Sequence, residues 1–333
     1  MRLSILDYSP VDEGGTAAEA LADTRKLAQR ADALGYERFW VSEHHHTDAL
    51  AGVAPEMLMM HLADSTRRIK VGSGGVMLPH YSSIKVAENY KMIEALHPGR
   101  VDLGFGRAPG ADALISHALN EEKARDLPYD VKVSDLKSFV TGHYPVGHRF
   151  ARAAARPKIS TSPQMWVLGA SGSTAGLAAK EGLGFTFAHF INPGGRGVPA
   201  AQAYREQFVP SELQPEPEVI VTIFVAVAES RSKADDLATA FHLWLAQIES
   251  PAALTALPSV STARHHRYTA GEAATIERNR NRLVFGTPSE VWSQIEQLAE
   301  AYSTDQIMIN PNVPGLDARM TTIELVAKEF GLN

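Results

Sequence analysis

The chain has 333 residues, 44% of them hydrophobic and 8% aromatic, which is enough for one large core or two smaller ones. Its 32 basic and 38 acidic residues are interspersed and give a net charge of -6, which argues against a nucleic-acid surface and favours small-molecule partners. The lack of cysteine excludes disulfides and thiolate chemistry, and MRLSILDYSP resembles no signal peptide, so we expect a cytoplasmic protein without a membrane span.

Short apolar and β-branched segments predict strands, and most are continuous rather than alternating, as in parallel strands covered on both faces. In chain order they are LSIL (3–6), FWVS (39–42), IKVGS (69–73), VDLGF (101–105), MWVLG (165–169), FTFA (185–188), VIVTIFVAVA (219–228) and QIMIN (306–310). Helices are predicted between them. Capping-box pairs mark one helix after Thr16 and Glu19 and another after Thr287 and Glu290. The other predicted helices span 55–66, 83–96, 121–140, 172–181, 199–208, 231–249 and 317–330.

Eight alternating βα units favour a closed (β/α)8 barrel, the TIM barrel of the α/β class, over an open doubly wound sheet. The segment DYSPVDEGG after the first strand also lacks the glycine-rich phosphate turn of an open dinucleotide-binding sheet. Two connections are longer than a barrel requires, and they predict insertions after strand 4 (106–134) and after strand 7 (250–285). Such loops serve as lids or binding loops, although the second could equally be a mobile surface insertion. No linker divides the chain, so we predict one domain over residues 1–333.

Barrel enzymes place their active sites at the carboxyl ends of the strands. Strand 2 ends in Glu43, His44, His45 and His46. His44 and His46 are two residues apart, so on a continued strand both would project to one side, a spacing suited to metal chelation. Only His189, after strand 6, could complete such a set. Metal hydrolysis is therefore disfavoured and no metal is predicted, which leaves acid/base chemistry or a solvated loop.

Two more strand ends carry candidate binding groups. Gly74 and Gly75, after strand 3, could let the backbone approach a flat ligand or adopt an unusual peptide geometry, although an ordinary glycine turn is the alternative. Arg107, after strand 4, would supply the cation that a phosphate prefers. After strand 5, a turn of small residues leads into a helix whose free N–H groups could bind an anion, unless it is an ordinary helix cap. This 170–174 turn comprises Ala170, Ser171, Gly172, Ser173 and Thr174.

Together these motifs resemble the bacterial luciferase-like monooxygenase family, in particular its single-chain branch with the GRAPG sequence. The resemblance lies in MRLSILDYSPV, RFWVSEHHH, RIKVGSGGVMLPHYSSIKVAEN, LHPGRVDLGFGRAPGAD and LGASGSTAGLAAKEGLGFTFAHF, and it resumes at FGTPSEVWSQIEQLAEAY and DQIMI. It leaves mainly residues 250–282 unassigned. It implies a TIM barrel that uses reduced FMN, supplied by a flavin reductase, and O2 to oxidise a small organic substrate such as an aldehyde or another apolar molecule.

The resemblance also implies roles for the site residues. His44 matches the histidine beside the flavin, where a group that titrates near neutral pH would manage a proton, and Glu43 matches the acid before it. Gly74 and Gly75 match a pair joined by a non-proline cis peptide against the isoalloxazine ring. Arg107 and the 170–174 turn match the phosphate-binding set.

Some features depart from the expected pattern. His46 stands where relatives commonly carry another polar residue, and the usual barrel phosphate site follows strands 7 and 8 rather than strand 5. Phe187, His189 and Phe190, after strand 6, could line the substrate pocket, or the phenylalanines could simply pack. The resemblance implies a homodimer. The alternatives are a deazaflavin (F420)-dependent oxidoreductase and a non-catalytic flavin-binding protein.

Overall fold

The computed structural model describes residues 1–108, 110–120, 127–250 and 254–332. Its strands are β1 (Arg2–Asp7), β2 (Arg38–Val41), β3 (Lys70–Ser73), β4 (Val76–Met77), β5 (Val101–Gly106), β6 (Gln164–Gly169), β7 (Gly184–Ala188), β8 (Val219–Val227), β9 (Leu283–Gly286) and β10 (Gln306–Asn310). Its helices are α1 (Ala17–Ala33), α2 (Pro55–Ser65), α3 (Ser83–Leu96), α4 (Ala113–Ala118), α5 (Tyr129–Thr141), α6 (Gly172–Glu181), α7 (Gly197–Gln207), α8 (Arg231–Ile248), α9 (Val260–His265), α10 (Ala270–Asn279), α11 (Pro288–Tyr302) and α12 (Leu316–Glu329).

The strands form a closed eight-stranded parallel TIM barrel, which confirms the predicted fold. β1, β2, β3, β5, β6, β7 and β8 are neighbours in that order, and β10 closes the ring by pairing with both β8 and β1. All eight predicted strands are present. The sequence missed β4, which has two residues and pairs with β5, and β9, which has four and pairs with the end of β8. Both are too short to show a periodic pattern.

The predicted helices are also present, each close to its expected bounds except α5. The capping boxes at the starts of α1 and α11 form as expected. Helix α5 begins at Tyr129 rather than at residue 121, because Pro128 fixes an extended backbone directly before it. Residues 121–126 of that prediction lie outside the described residues. No helix in the described ranges is long and apolar enough to cross a membrane.

The core has two layers, one inside the barrel and one between the strands and the helices. Alternate strand residues separate them: Ile5 and Phe39 face the helices, whereas Leu6 and Trp40 lie inside the barrel. The inner layer is unusually bulky. A Cβ atom at Gly72 would lie 2.4 Å from the Trp40 ring, so this glycine makes room for the indole.

A buried polar network closes the amino-terminal end of the barrel. The guanidinium of Arg38, 1% exposed, forms an ion pair with Asp102 at 3.0 Å and also contacts Glu37. Its Nη1 donates to Oε1 of Gln306 at 3.3 Å, and Nε1 of Trp40 donates to Asp102 at 2.9 Å. The charged groups form ion pairs with one another inside the protein. This pairing offsets much of the free-energy cost of removing them from water.

The second insertion follows α8 rather than β8 directly. Its described part is docked against the loop after β1. Leu257 is fully buried, and its backbone N–H donates to Val11 O at 2.7 Å and its carbonyl accepts from Glu13 N at 3.0 Å. The Glu13 carboxylate accepts from Ser259 N at 3.0 Å and from Thr262 Oγ1 at 2.7 Å. These bonds make this region a packed extension of the barrel rim, with residues 251–253 outside the described residues.

Candidate active site

The predicted site residues lie at the carboxyl ends of β2, β3, β5 and β6. These four strands are consecutive neighbours in the barrel, so the candidate residues occupy one continuous arc of its rim. The register of β5 and β6 pairs Gly106 with Leu168, which puts Arg107 beside the strand end that leads into the 170–174 turn. The fold therefore brings together groups that are far apart in sequence.

His44 lies half-buried at the end of β2. Its Nδ1 is 3.1 Å from Ser42 Oγ, and its backbone N–H donates to Gly52 O at 2.9 Å. The ring meets Tyr8 edge-on with centroids 5.0 Å apart. Burial, assisted by the charge of His45, lowers the pKa of His44 to about 4. The ring is therefore neutral near pH 7, and it does not titrate near neutrality as the sequence suggested.

Glu43 is fully buried, and its carboxylate is engaged by protein groups. Oε1 accepts from Tyr81 Oη at 2.6 Å and lies 2.9 Å from Nε2 of His45, while Oε2 accepts from Met77 N at 2.9 Å. Met77 and Tyr81 belong to the segment that follows Gly75. The carboxylate thus connects the end of β2 to the chain beyond the glycine pair.

The histidine triplet does not converge on one point. The backbone of His46 is left-handed with φ of 57°, because β2 has already ended at Val41. The exposed His46 ring turns away to Asp112, with Nδ1 2.5 Å from Oδ2, whereas His44 faces Tyr8. Within the described ranges no three His, Asp or Glu side chains are grouped as metal ligands.

The peptide bond between Gly74 and Gly75 is cis, as the resemblance implied. A Cβ atom at Gly74 would lie 2.5 Å from Cδ1 of Leu6, and one at Gly75 would lie 2.9 Å from Gly104 O. Protein atoms therefore already fill the space that a Cβ atom at either glycine would need. Barrel packing, and not only the approach of a ligand, accounts for glycine at these two positions.

The start of α6 has the features of an anion site. Ser171 precedes the helix but makes no side-chain cap, because its hydroxyl lies 3.0 Å from Ser173 Oγ and 3.3 Å from Thr174 Oγ1. The first backbone N–H groups of α6 therefore stay available for a ligand. A Cβ atom at Gly172 or Gly106 would meet no described atom within 4 Å, so open space lies beside both. Arg107 is exposed next to Gly106.

Phe187, His189 and Phe190 divide between the two alternatives of pocket lining and packing. Phe187 is fully buried on the outer face of β7, with its ring 5.7 Å from that of Tyr302 on α11. His189 Nδ1 bonds the Tyr302 hydroxyl at 2.9 Å, so it too turns outward. Phe190 alone faces the barrel mouth, where its ring centroid lies 4.7 Å from that of Phe224.

Two residues of the mouth were missed by the sequence reasoning. Tyr8 directly follows β1 and contacts His44, so the strand-end rule applied to strand 1 would have found it. Arg282 comes from the second insertion, and its Nε donates to Phe190 O at 2.5 Å. No local sequence signal marks Arg282, because its place at the rim depends on the pairing of β9 with the end of β8.

Comparison with known proteins assigns the chain to a family. Residues 1–305 match the family of luciferase-like monooxygenases. The chain is 43% identical to YwcH of Bacillus subtilis over 98% of both chains. It is 50% identical over 193 residues to an N-acetyl-S-alkylcysteine monooxygenase of the same organism, covering 58% of each chain. The crystal structure of apo-MsnO8 matches with a TM-score of 0.89 and 32% identity, covering all of this chain and 98% of that one.

Two further structures share the fold and differ in cofactor. One is the oxygenating constituent of 3,6-diketocamphane monooxygenase from Pseudomonas putida in complex with FMN, at a TM-score of 0.71, 20% identity and coverage of 99% and 97%. The other is an F420-dependent secondary alcohol dehydrogenase, at a TM-score of 0.68, 16% identity and coverage of 98% of both. Proteins of this fold therefore bind flavins in some cases and F420 in others.

Proposed function

Because the chain belongs to the luciferase-like monooxygenase family, we propose that it is an FMN-dependent monooxygenase that oxidises a small organic substrate. The observation that carries the proposal is the uncapped start of α6 beside Arg107, on the same rim as a neutral His44. When bound, reduced FMN supplies the two electrons with which one oxygen atom of O2 goes to the substrate and the other to water. A flavin reductase would regenerate it.

The residues of the rim divide this work between them. The N–H groups of α6 and the guanidinium of Arg107 would hold the phosphate, since both favour an anion. The cis Gly74–Gly75 segment would support the ring system, with Glu43 holding the chain behind it. Neutral His44 can give or take one proton through the ring nitrogen opposite Ser42.

The phosphate assignment is tested by comparing FMN with riboflavin. Arg107→Ala should weaken FMN binding roughly tenfold or more and leave riboflavin binding unchanged, because only FMN carries the phosphate that pairs with the guanidinium. Arg67→Ala is the control, since Arg67 is exposed on the loop before β3, at the opposite end of the barrel. Equal losses for the two ligands would refute the contact. Binding of F420 in place of FMN would overturn the choice of cofactor.

Turnover tests the role of His44. The relative named for N-acetyl-S-alkylcysteine suggests N-acetyl-S-methylcysteine as the first substrate to try. His44→Gln should keep FMN affinity and lower turnover roughly 10²- to 10⁴-fold, the usual effect of removing an acid/base group. His46→Gln is the matched control, because that ring faces Asp112. Full activity of His44→Gln on a proven substrate would remove His44 from the mechanism.

A homodimer is proposed from an apolar surface formed by α2 and α3. Met57, Met92 and Leu96 are 74%, 61% and 56% exposed, and they border a groove with Met60 and Ile93. Apolar side chains clustered in this way mark interaction sites, and a second copy of the chain would bury them. Met57→Glu with Met92→Glu should halve the mass measured by sedimentation, whereas Val146→Glu on a separate loop should leave it unchanged. A wild-type monomer would refute the proposal.

A further inference from the structure

An aromatic wall extends from His44 across the mouth of the barrel. The ring of Tyr8 lies edge-on to three neighbours, with centroid distances of 5.0 Å to His44, 6.4 Å to Phe190 and 5.9 Å to Phe224. Phe224 extends the wall to helix α8 through its contact with Trp244, at 5.7 Å. The wall is a packed aromatic cluster that begins beside the proposed acid/base group, and Tyr8 and Phe190, 8% and 7% exposed, are its least buried members.

Arg282 lies at the rim end of this wall. Its Nε donates to Phe190 O at 2.5 Å, and its Nη1 donates to Glu249 Oε1 at 3.2 Å and to Asn279 Oδ1 at 3.4 Å. The side chain is 17% exposed. These bonds fix the plane of the guanidinium, so little conformational entropy remains to be lost when it binds a ligand.

Two hydrogen-bond donors near Phe190 have no acceptor in the described part of the chain. Among the described residues, nothing accepts a hydrogen bond from Nη2 of Arg282 or from the hydroxyl of Tyr8. The two groups also interact electrostatically. Burial raises the pKa of Tyr8, and the positive charge of Arg282 opposes that rise. A charged donor and a neutral donor are thus available at one end of an apolar wall.

The partner of Arg282 inside the protein is shared. Glu249 also pairs with Arg278 at 2.7 Å and accepts from Asn279 at 3.0 Å, so one carboxylate serves two guanidinium groups. Glu249 is therefore not dedicated to Arg282 alone. A planar guanidinium with a free N–H edge recognises carboxylates in particular, because the two groups match in shape and charge.

We propose that Arg282 and Tyr8 bind a carboxylate of the substrate while its apolar part lies against the edge of Phe190. The proposal rests on the proposed function, since the same mouth holds His44. It narrows the expected substrate from a small organic molecule to an organic acid with an apolar arm, a class that includes N-acetyl-S-methylcysteine. Specificity would then come from the second insertion, which carries Arg282 to the rim.

The experiment uses two ligands of nearly the same shape, phenylacetate and uncharged phenylacetamide, titrated by calorimetry into the FMN-loaded protein. The wild type should bind phenylacetate about ten- to hundredfold tighter, the range expected for a charge-assisted hydrogen bond. Arg282→Gln should abolish that preference, and Tyr8→Phe should reduce it several-fold. Arg278→Gln is the control. Arg278 contacts the same Glu249 but not Phe190, so this variant should keep the preference for phenylacetate.

The outcomes separate this inference from the proposed function. A preference that survives in Arg282→Gln, or a wild type that binds both ligands equally or neither, would overturn the carboxylate site. An equal loss for both ligands in Arg282→Gln would show that Arg282 only supports the fold of the insertion. FMN affinity is measured on the same samples. Failure to bind FMN would instead refute the cofactor assignment, and the same two ligands titrated into the FMN-free protein would still decide the carboxylate site.

Discussion

The two ends of the barrel use the same kinds of side chain in opposite ways. At the amino-terminal end, Arg38 is buried and pairs with Asp102 inside the protein. At the carboxyl-terminal end, Arg107 is exposed, and the free edges of Arg282 and Tyr8 have no acceptor among the described residues. Residue type alone does not distinguish a structural arginine from a binding one. What distinguishes them is whether the protein itself already satisfies the group.

Removing a buried partner should therefore have the largest effect on stability. Arg38→Met leaves Asp102 as an unpaired charge in the barrel, so the free energy of unfolding measured with urea should fall by about 3–5 kcal/mol. Arg107→Met makes the same chemical change at the other end and should cost less than about 0.5 kcal/mol, while weakening FMN binding. Equal destabilisation by the two variants would show that the ends do not differ in this way.

The strands were predictable because the evidence for them is local. Parallel strands covered on both faces read as short continuous apolar runs, and all eight barrel strands have such runs. The site residues at their ends followed from one rule about barrels, which singled out His44, Arg107 and the 170–174 turn. These residues need only the order of the strands to be brought together.

The remaining features depend on contacts between distant segments. Phe187 lies within the apolar run of strand 6, and alternation turns it outward to Tyr302, whereas Phe190 lies beyond the strand and faces inward. Arg282 reaches Phe190 because β9 begins at the next residue and pairs with the end of β8. The low pKa of His44 comes from burial, which the sequence of a strand end does not reveal.

Two glycines of β5 sharpen the comparison between barrel interior and mouth. A Cβ atom at Gly104 would lie 2.1 Å from Ser73 O, whereas one at Gly106 would meet no described atom within 4 Å. Gly104→Ala should lower the free energy of unfolding by about 1–3 kcal/mol, because the backbone of β3 must shift. Gly106→Ala should leave stability nearly unchanged, and it should weaken FMN binding if the ligand occupies the space beside it. Thermal unfolding and FMN titration measure the two effects, and a stable Gly104→Ala would contradict the packing argument.

The smallest expected effect is the change in the free energy of unfolding with pH that is due to His44. Its pKa is about 4 in the folded protein against 6.5 for an ordinary histidine, so between these values the unfolded chain binds a proton that the folded chain does not. Stability due to this group is complete above pH 6.5 and declines as the pH falls towards 4. At pH 6 the loss should be on the order of 1 kcal/mol. His44→Gln has no such group, so its unfolding free energy should fall less steeply over the same range, whereas His46→Gln, altered at an exposed ring, should follow the wild type. If His44→Gln and the wild type run parallel from pH 7 to pH 5, then the ring is not buried as a neutral group, and the functional end of the barrel is more open to water than the contacts with Tyr8 and Ser42 imply.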